Sequence, residues 1–432
     1  MSAAMVRNVA VCIGEAGTLA GTLGYAKSGT RENTTFAYST AWLDSADRFM
    51  LSPDLPLFSG NQFHKAATKN DSVFHLAIAD TAPDGWGCRV IARDHAKRRK
   101  SALAKGSDVT FAALTEWDYL TGVDDISRIG ALRLRDDQGH FLRNIDAGER
   151  ATPPLLELDH LLDASHAVER GTESAADLRY LRGRGTSLGG LRPKCSIVDE
   201  DGQLAIGKFA SVNDARSVTR GEVLALHLAQ AAGINAAQAR IVCTGDDPVA
   251  VIRRFDRTAN GNRIPYLSAA SMLQARRDDE RAYTEIADCL IASSPDPQRD
   301  LAELWRRIVF NLLITNVDDH LHNHGFLHAG HGQWRLAPAF DINPFPDKEQ
   351  ELKTWLSEES GPVSSITEVM QLAGYFWLKP EQSLAILAQV VKAIGGWRDM
   401  AMTKPIGMLA RDLADFAPAF EHVQMERARE LL

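Results

Sequence analysis

Apolar and polar positions divide the chain into a β-containing start and a mainly helical remainder. Residues 9–13 form a short apolar run, 14–24 are Gly-rich, and 34–42 carry Phe36, Tyr38 and Trp42, so 8–42 is expected to be short strands and turns. From Lys65 onward helical spacing takes over, and 110–119 offers a helix start at Thr110 with Phe111, Leu114, Trp117 and Tyr119 available for burial. The polar stretch 143–154 reads as a connection between domains, followed by a helix over about 155–166.

A Gly-rich run over 183–190 then leads directly into a predicted strand over 194–198, with a hairpin turn at 199–202. The returning strand alternates, placing Leu204, Ile206 and Lys208 on one face, a lysine in line with core residues. A helix is expected over about 219–232, stopped by Gly233, with Glu222 in its first turn. Residues 249–252 suit a buried strand that ends abruptly in Arg253-Arg-Phe-Asp-Arg257. The clearest helix is 301–314, whose apolar face comprises Leu301, Leu304, Trp305, Ile308, Val309, Leu312 and Leu313. From about 367 to 432 the pattern is helical, and there is no internal repeat or low-complexity tract.

Composition narrows the class. A chain of 432 residues exceeds what one hydrophobic core usually serves, so two or more packed lobes are expected. A formal net charge of -8 argues against a mainly electrostatic grip on nucleic acid, leaving any DNA contact to a partner. Five cysteines lie far apart without C-x-x-C spacing and read as reduced, mostly buried thiols. No basic region followed by an apolar run opens the chain, and no stretch reaches the roughly 20 apolar residues that span a bilayer, so a cytoplasmic protein without membrane contact is expected.

The chemistry concentrates after the long helix. There Asn316-Val-Asp-Asp-His-Leu-His-Asn323 is followed by Leu336-Ala-Pro-Ala-Phe-Asp341-Ile-Asn343. Phosphoryl transfer needs a carboxylate to orient the acceptor, a nearby amide oxygen for Mg²⁺ and a second carboxylate for the metal that bridges the phosphates. Asp318, Asn323 and Asp341 supply these in order, and the interval from Asp318 to Asn323 equals that of the kinase catalytic loop. Upstream, the order Gly-rich loop, strand, turn, strand with Lys208, helix with Glu222 and apolar strand into a hinge is that of a kinase N-lobe. In that reading Lys208 neutralises phosphate charge, Glu222 holds it, and main-chain groups from Arg253 to Phe255 meet the adenine of ATP.

The motifs S-L-G-G-L-R-P-K, A-I-G-K-F, R-R-F-D-R, N-V-D-D-H-L-H-N and L-A-P-A-F-D-I resemble those of the HipA family of toxin kinases. Residues 36–43, 51–57 and 127–132 (Ser-Arg-Ile-Gly-Ala-Leu) are similar to that family's N-terminal domain. The resemblance implies an α+β, two-lobed protein-kinase-like fold with an N-terminal β-containing subdomain and an all-helical C-terminal part. Its expected division is 1–145 (HipA-like N-terminal domain), 146–260 (N-lobe-like region with the Gly-rich loop) and 261–432 (mainly helical C-lobe with the catalytic loop). It further implies a serine/threonine kinase of a type II toxin–antitoxin system, dependent on ATP and Mg²⁺. A small helix-turn-helix antitoxin of the HipB kind would hold it inactive, and in some family members the protein substrate is an aminoacyl-tRNA synthetase.

Carried over by residue, the resemblance makes Asp318 the catalytic aspartate, Asn323 and Asp341 the magnesium ligands, Lys208 the phosphate-binding lysine and Lys194 the loop-end lysine. Ser187, beside Gly189 and Gly190, becomes an autophosphorylated serine in the ATP-covering loop. The Gly-rich loop departs from G-x-G-x-x-G, and Asp341-Ile-Asn stands where D-F-G would, yet neither change removes a required ligand.

Three other readings compete. His320, His322, His324, His328 and His331 could form a metalloenzyme site, although H-E-x-x-H and nearby cysteines are missing; within the kinase reading His320 orients the catalytic loop. A pseudokinase that only binds antitoxin and operator is disfavoured because every residue needed for chemistry is present. A small-molecule kinase of related fold is not separated by sequence.

Overall fold

The computed structural model describes residues 5–83, 85–106, 111–142, 152–182, 190–276 and 279–432. The chain folds as two compact units. One comprises Met1–Asn213, Thr244–Val249 and Asp256–Tyr266, and the other Asp214–Cys243, Ala250–Phe255 and Leu267–Leu432.

Five antiparallel strands open the first unit: β1 (Met5–Ile13), β2 (Thr18–Ser28), β3 (Arg31–Tyr38), β4 (Gln62–His64) and β5 (Leu132–Arg135), in the order β4-β3-β2-β1-β5. Val9 lies opposite Leu23 and Leu23 opposite Phe36, which sets three buried apolar side chains in one row across the sheet. Of the Gly-rich stretch 14–24, residues 14–17 turn the chain after β1 and residues 18–24 belong to β2. A β-carbon on Gly21 would lie 2.3 Å from the Ala37 carbonyl oxygen, so close approach of β3 requires glycine within the strand. Trp42 leaves the sheet for a single helical turn, Thr40–Leu43, capped by the Ser39 hydroxyl.

Helices Gly85–Ala104, Glu116–Thr121, Leu158–Arg170 and Ala175–Leu181 complete this unit. The helix expected from Thr110 begins later, because Thr115 and Asp118 cap each other reciprocally; Thr110 lies outside the described residues. The Ser-Arg-Ile-Gly-Ala-Leu segment is organised by Arg128, whose fully buried guanidinium donates to the carbonyls of Thr81, Leu120 and Val123, while burial pushes its pKa down to about 10. Asp256 and Arg257 anchor to the same segment: Gly130 N–H donates to Asp256 (2.7 Å), and Arg257 donates to the carbonyls of Gly130 and Arg128. The last two residues of the Arg-Arg-Phe-Asp-Arg motif therefore anchor to the N-terminal part of the chain.

β6 (Lys194–Val198) and β7 (Leu204–Lys208) form the expected hairpin, turning through Gly202 at φ +78°. The more buried face of β7 is Ala205 and Gly207, not the face of Leu204, Ile206 and Lys208. Gly207 lacks a side chain where Leu158 and Ile197 pack, 3.5 and 3.7 Å from the position its β-carbon would take. All five cysteines are free thiols, but only Cys12 and Cys195 are fully buried and Cys243 is exposed.

In the second unit, helix Val218–Ala231 is followed by Gly233 at φ +79°. Its first turn holds no acidic residue; Glu222 falls in the second turn and is 4% exposed. β8 (Ala239–Thr244), β9 (Asp247–Arg253) and β10 (Tyr266–Ser268) follow in the chain with their residues divided between the two units, and then come helix Tyr283–Ser293 and the long helix Pro297–Leu313. The long helix starts four residues before the apolar pattern does, because Asp296 accepts a hydrogen bond from the Arg299 N–H (3.3 Å) and Pro297 takes the first helical position. Its predicted apolar face is entirely inaccessible to solvent, with Trp305 donating to the Val369 carbonyl (3.3 Å). β11 (Gly325–Gly330) and β12 (Gln333–Leu336) join β10 in a three-stranded sheet, and from Ile366 to Glu430 the regular structure is helical throughout, as expected.

Candidate active site

The long helix is brought to a stop by two residues that its own apolar stripe does not announce. Thr315 adopts φ +54°, and Asn316 turns back so that its N–H donates to the Asn311 carbonyl (2.8 Å) and its side chain to the Asn311 amide oxygen (3.2 Å). This reversal launches the loop that carries Asp318 and Asp319.

Adjacent carboxylates in that loop take opposite environments. Asp319 is buried, and one of its oxygens accepts hydrogen bonds from the Tyr283 hydroxyl, the Asn311 amide (2.8 Å) and His324 Nε2 (3.0 Å). Its main-chain carbonyl accepts from the Thr354 N–H and hydroxyl at 3.1 and 2.8 Å. Burial alone would push the Asp319 carboxyl up, but the neighbouring His324 charge and hydrogen bond, the Tyr283 hydroxyl and the His320 charge outweigh it and hold it below the ordinary value. Burial and the Asp319 charge in turn keep the Tyr283 hydroxyl protonated, as a donor must be. Asp318 instead points outward, half exposed at 49%, and pairs with the ammonium of Lys353, which is 61% exposed.

Asn323 ends a single 3₁₀ turn, Leu321–Asn323, and donates its side-chain N–H to the Asp318 carbonyl (3.1 Å), so its amide oxygen is the atom left to face a cation. Asp341 sits at φ +55°, with the Asn343 side chain donating to its Oδ1 (3.3 Å). The Asn343 N–H donates to the Asn316 side-chain oxygen (3.1 Å), which ties the Asp341 segment to the loop bearing Asp318. Phe340, one residue before Asp341, packs against Phe255 with ring centroids 5.3 Å apart. Asp318, Asn323, Asp341 and Phe255 thus belong to one connected region of the second unit. Arg253 lies at the end of β9, its N–H donating to the Gln238 carbonyl (2.8 Å), and Glu222 is in the same unit.

Of the remaining candidates, Gly190, Lys194 and Lys208 lie in the first unit. Ser187 and Gly189 are outside the described residues. Gly190 adopts φ +95°, accepts a hydrogen bond from the Trp86 N–H (2.9 Å), and has Lys194 Nζ 2.6 Å from where a β-carbon would stand, so the lysine folds over a position that only glycine leaves open. Lys194 and Lys208 are direct partners across the β6–β7 hairpin, which places two ammonium side chains on one face, an arrangement suited to an anion.

Two findings redraw the histidine cluster. Among the described residues, His320, His322, His324, His328 and His331 do not converge as a group of three metal-ligating atoms. His324 serves Asp319, His328 packs its ring on Trp334 with burial pushing it down to about 4, and His331 occupies a turn at φ +52°. The histidine that hydrogen-bonds to Asp319 is His324, while His320 stacks edge-on against His322 at 5.9 Å. Sequence reasoning missed Asp319, Tyr283, Asn311, Asn316 and Lys353; the available signal was Asn311, a carboxamide inside an otherwise apolar helix face.

Comparison with known proteins places the chain in a family and shows its fold. The family model for the HipA-like C-terminal domain matches residues 186–397, and that for the HipA N-terminal domain matches residues 11–113. "Putative kinase Y4mE" of Sinorhizobium fredii is 24% identical over 332 residues, which span 71% of this chain and 71% of that protein. A Haemophilus influenzae protein with the same kinase designation is 27% identical over 109 residues, 22% of this chain and 32% of its own length. A chain of the Shewanella oneidensis MR-1 toxin–antitoxin complex of HipA, HipB and operator DNA superposes with a TM-score of 0.66, covering 98% of this chain and 97% of its own at 16% identity. At that identity the likeness establishes the fold, a two-lobed kinase-like architecture of mixed helices and strands.

The buried carboxylate makes a prediction about stability. As pH falls, the unfolded chain's carboxyl protonates near its ordinary value of about 3.9, before the folded one does. The stabilisation from this network is therefore full above about pH 4 and is lost as pH drops through the lower folded-state value. Asp319→Asn is expected to cost about 3–5 kcal/mol at pH 7, the cost of breaking a buried pair by removing one partner, and to flatten the loss of stability below about pH 4. Urea unfolding at pH 7 and in mild acid measures both, and an unchanged midpoint at pH 7 contradicts the assignment.

Proposed function

This chain belongs to the HipA family, and on that premise we propose that it is an ATP- and Mg²⁺-dependent serine/threonine protein kinase. The observation that carries the reading is the hydrogen bond from Asn343 to Asn316, which holds Asp341 beside the loop of Asp318 and Asn323. Asp318 is the carboxylate that orients a Ser or Thr hydroxyl and accepts its proton. It is suited to this by exposure, whereas Asp319 is occupied and inaccessible. Asn323 and Asp341 offer the oxygen atoms that a hard cation such as Mg²⁺ prefers. Mg-ATP, when bound, supplies the phosphoryl group and the metal charge.

Lys194 and Lys208 are assigned to the phosphates, Glu222 to the carboxylate role that a kinase helix supplies, and main-chain groups at Arg253 and Phe255 to the adenine. Gly190 and the residues before it, Ser187 and Gly189, are assigned to the loop over the nucleotide, with Ser187 the site of autophosphorylation. Lys353 gains a role that sequence did not suggest. Its ammonium lies on the Asp318 carboxylate, where negative charge builds as a phosphoryl group approaches the acceptor oxygen.

The same reading extends to partners. We assign the chain to a type II toxin–antitoxin system, restrained by a small helix-turn-helix antitoxin of the HipB kind, which makes the operator DNA contacts that a net charge of -8 disfavours here. Its substrate is a Ser or Thr of a cellular protein, with an aminoacyl-tRNA synthetase the first to try. No helix among the described residues is long and apolar enough to cross a membrane, and we assign the protein to the cytoplasm. The division into 1–145, 146–260 and 261–432 is retained as the working domain scheme.

Incubation with radiolabelled Mg-ATP, alone and with cell lysate, tests the assignment of Asp318. Asp318→Asn should remain folded yet lose transfer by on the order of 10²- to 10⁴-fold, the range for removing a positioned acid–base group; wild-type transfer by this variant would refute the role. Mass spectrometry of the same reactions should find phosphate on Ser187 in the wild type and none in Asp318→Asn, whereas an unmodified loop in an active enzyme rejects autoregulation. Lys353→Ala removes a half-exposed pair worth at most about 1 kcal/mol, so the unfolding midpoint should hardly move. Its kcat should nevertheless fall about 10-fold if Lys353 stabilises the transferring charge, and an unchanged kcat would leave the pair a surface contact.

A further inference from the structure

In the first unit, three donor groups that no step of the proposed reaction uses converge from separate segments. Asp54 lies in the loop after the Thr40–Leu43 turn, His64 ends the edge strand β4, and His75 precedes the short helix Leu76–Ala79. One ligand atom from each lies within 4.8 Å of the other two. Asp54 Oδ2 is 3.1 Å from His75 Nδ1 and 3.9 Å from His64 Nδ1. The His75 side chain is 3% exposed, Asp54 15% and His64 26%, so the cluster is enclosed on the His75 side and open on the His64 side.

Both rings are turned the same way. His75 Nε2 lies 3.2 Å from the Gln62 carbonyl oxygen, and His64 Nε2 lies 3.3 Å from that of Ser72. A carbonyl oxygen can only accept, so each Nε2 carries the hydrogen, and in the neutral ring each Nδ1 is then a lone pair. His75 Nδ1 at 3.1 Å and His64 Nδ1 at 3.9 Å thus face one carboxylate oxygen, which the Leu76 N–H (3.1 Å) also holds, while the Ser52 hydroxyl (2.5 Å) holds the other oxygen.

At 3.9 Å the His64 Nδ1 is beyond hydrogen-bond distance from the carboxylate, so no proton shared between those two groups accounts for their approach. A cation among the three groups satisfies all of them. The geometry also suits one: tetrahedral zinc with ligands at about 2.0–2.1 Å holds its ligand atoms roughly 3.3 Å apart, and the two observed separations from Asp54 bracket that spacing. Donation of the other ring N–H to a main-chain carbonyl is, moreover, how metal-bound histidines are commonly oriented.

We propose that Asp54, His64 and His75 form a binding site for one zinc ion, with the fourth position open to water or an outside ligand. Such an ion would fasten the three-residue edge strand β4 to the loop and helix entry beside it. The full-length protein, stripped with chelator, is titrated with ZnCl₂ by calorimetry while its melting temperature is followed. Wild type should take up one tight equivalent and melt higher with zinc. His64→Ala, which leaves the His75–Asp54 contact in place, should weaken that equivalent at least 10-fold and lose the thermal response, and Asp54→Asn should do the same. The exposed His322 and His331 are the alternative takers, so a His322→Ala, His331→Ala double variant should retain the tight equivalent. The proposal is overturned if wild type binds no zinc more tightly than about 1 mM, or if His64→Ala and Asp54→Asn keep the tight equivalent.

Discussion

A single buried carboxylate, that of Asp319, determines how the candidate active site is presented. Burying a carboxylate is tolerable only when donors replace the water it gives up, and here the donors come from three directions: Tyr283 from one helix, Asn311 from the long helix, and His324 from beyond the loop. Those three contacts fix where the loop enters and leaves the protein. Once Asp319 is turned inward, its neighbour Asp318 faces outward, and the main-chain carbonyl of Asp319 is left for Thr354, which brings Lys353 over Asp318. The exposure of the catalytic candidate thus follows from the burial of the residue beside it.

Rigidity passes from this centre to the metal-binding candidates. Asn316 bonds back to Asn311 and forward to Asn343, so the helix that carries one Asp319 donor also holds the segment bearing Asp341. Phosphoryl transfer relies on positioning and electrostatics more than on covalent participation by the protein. A loop and a candidate metal carboxylate referenced to one packed helix meet that requirement, because the helix's apolar face is wholly buried and cannot shift without repacking the second unit.

What was legible in the sequence was whatever depends on local pattern. The long helix, the β6–β7 hairpin, the helical C-terminal region and the order Asp318, Asn323, Asp341 were read from spacing and turn chemistry alone. What escaped depends on which of two similar groups the fold selects. Nothing in Asp318-Asp319 says which carboxylate turns inward; that choice is made by Tyr283 and Asn311, tens or several residues away in sequence. Alternation in β7 was visible, but its core face was not, because Gly207 hides its burial by having no side chain. The histidines crowded between 320 and 331 drew attention as metal ligands, whereas those that converge, His64 and His75, are separated by a loop and share no motif with Asp54.

In the proposed reading, the loop anchored by Asp319 and the segment tied to it at Asn343 together present a magnesium-dependent nucleotide site. Calorimetric titration of ATP with and without Mg²⁺ measures this directly, in the wild type, Asp318→Asn and Asp341→Asn. Binding should depend on Mg²⁺ in the wild type, persist in Asp318→Asn, and lose its magnesium dependence with a marked drop in affinity in Asp341→Asn. ATP affinity that is indifferent to Mg²⁺, or unchanged in Asp341→Asn, would contradict the account.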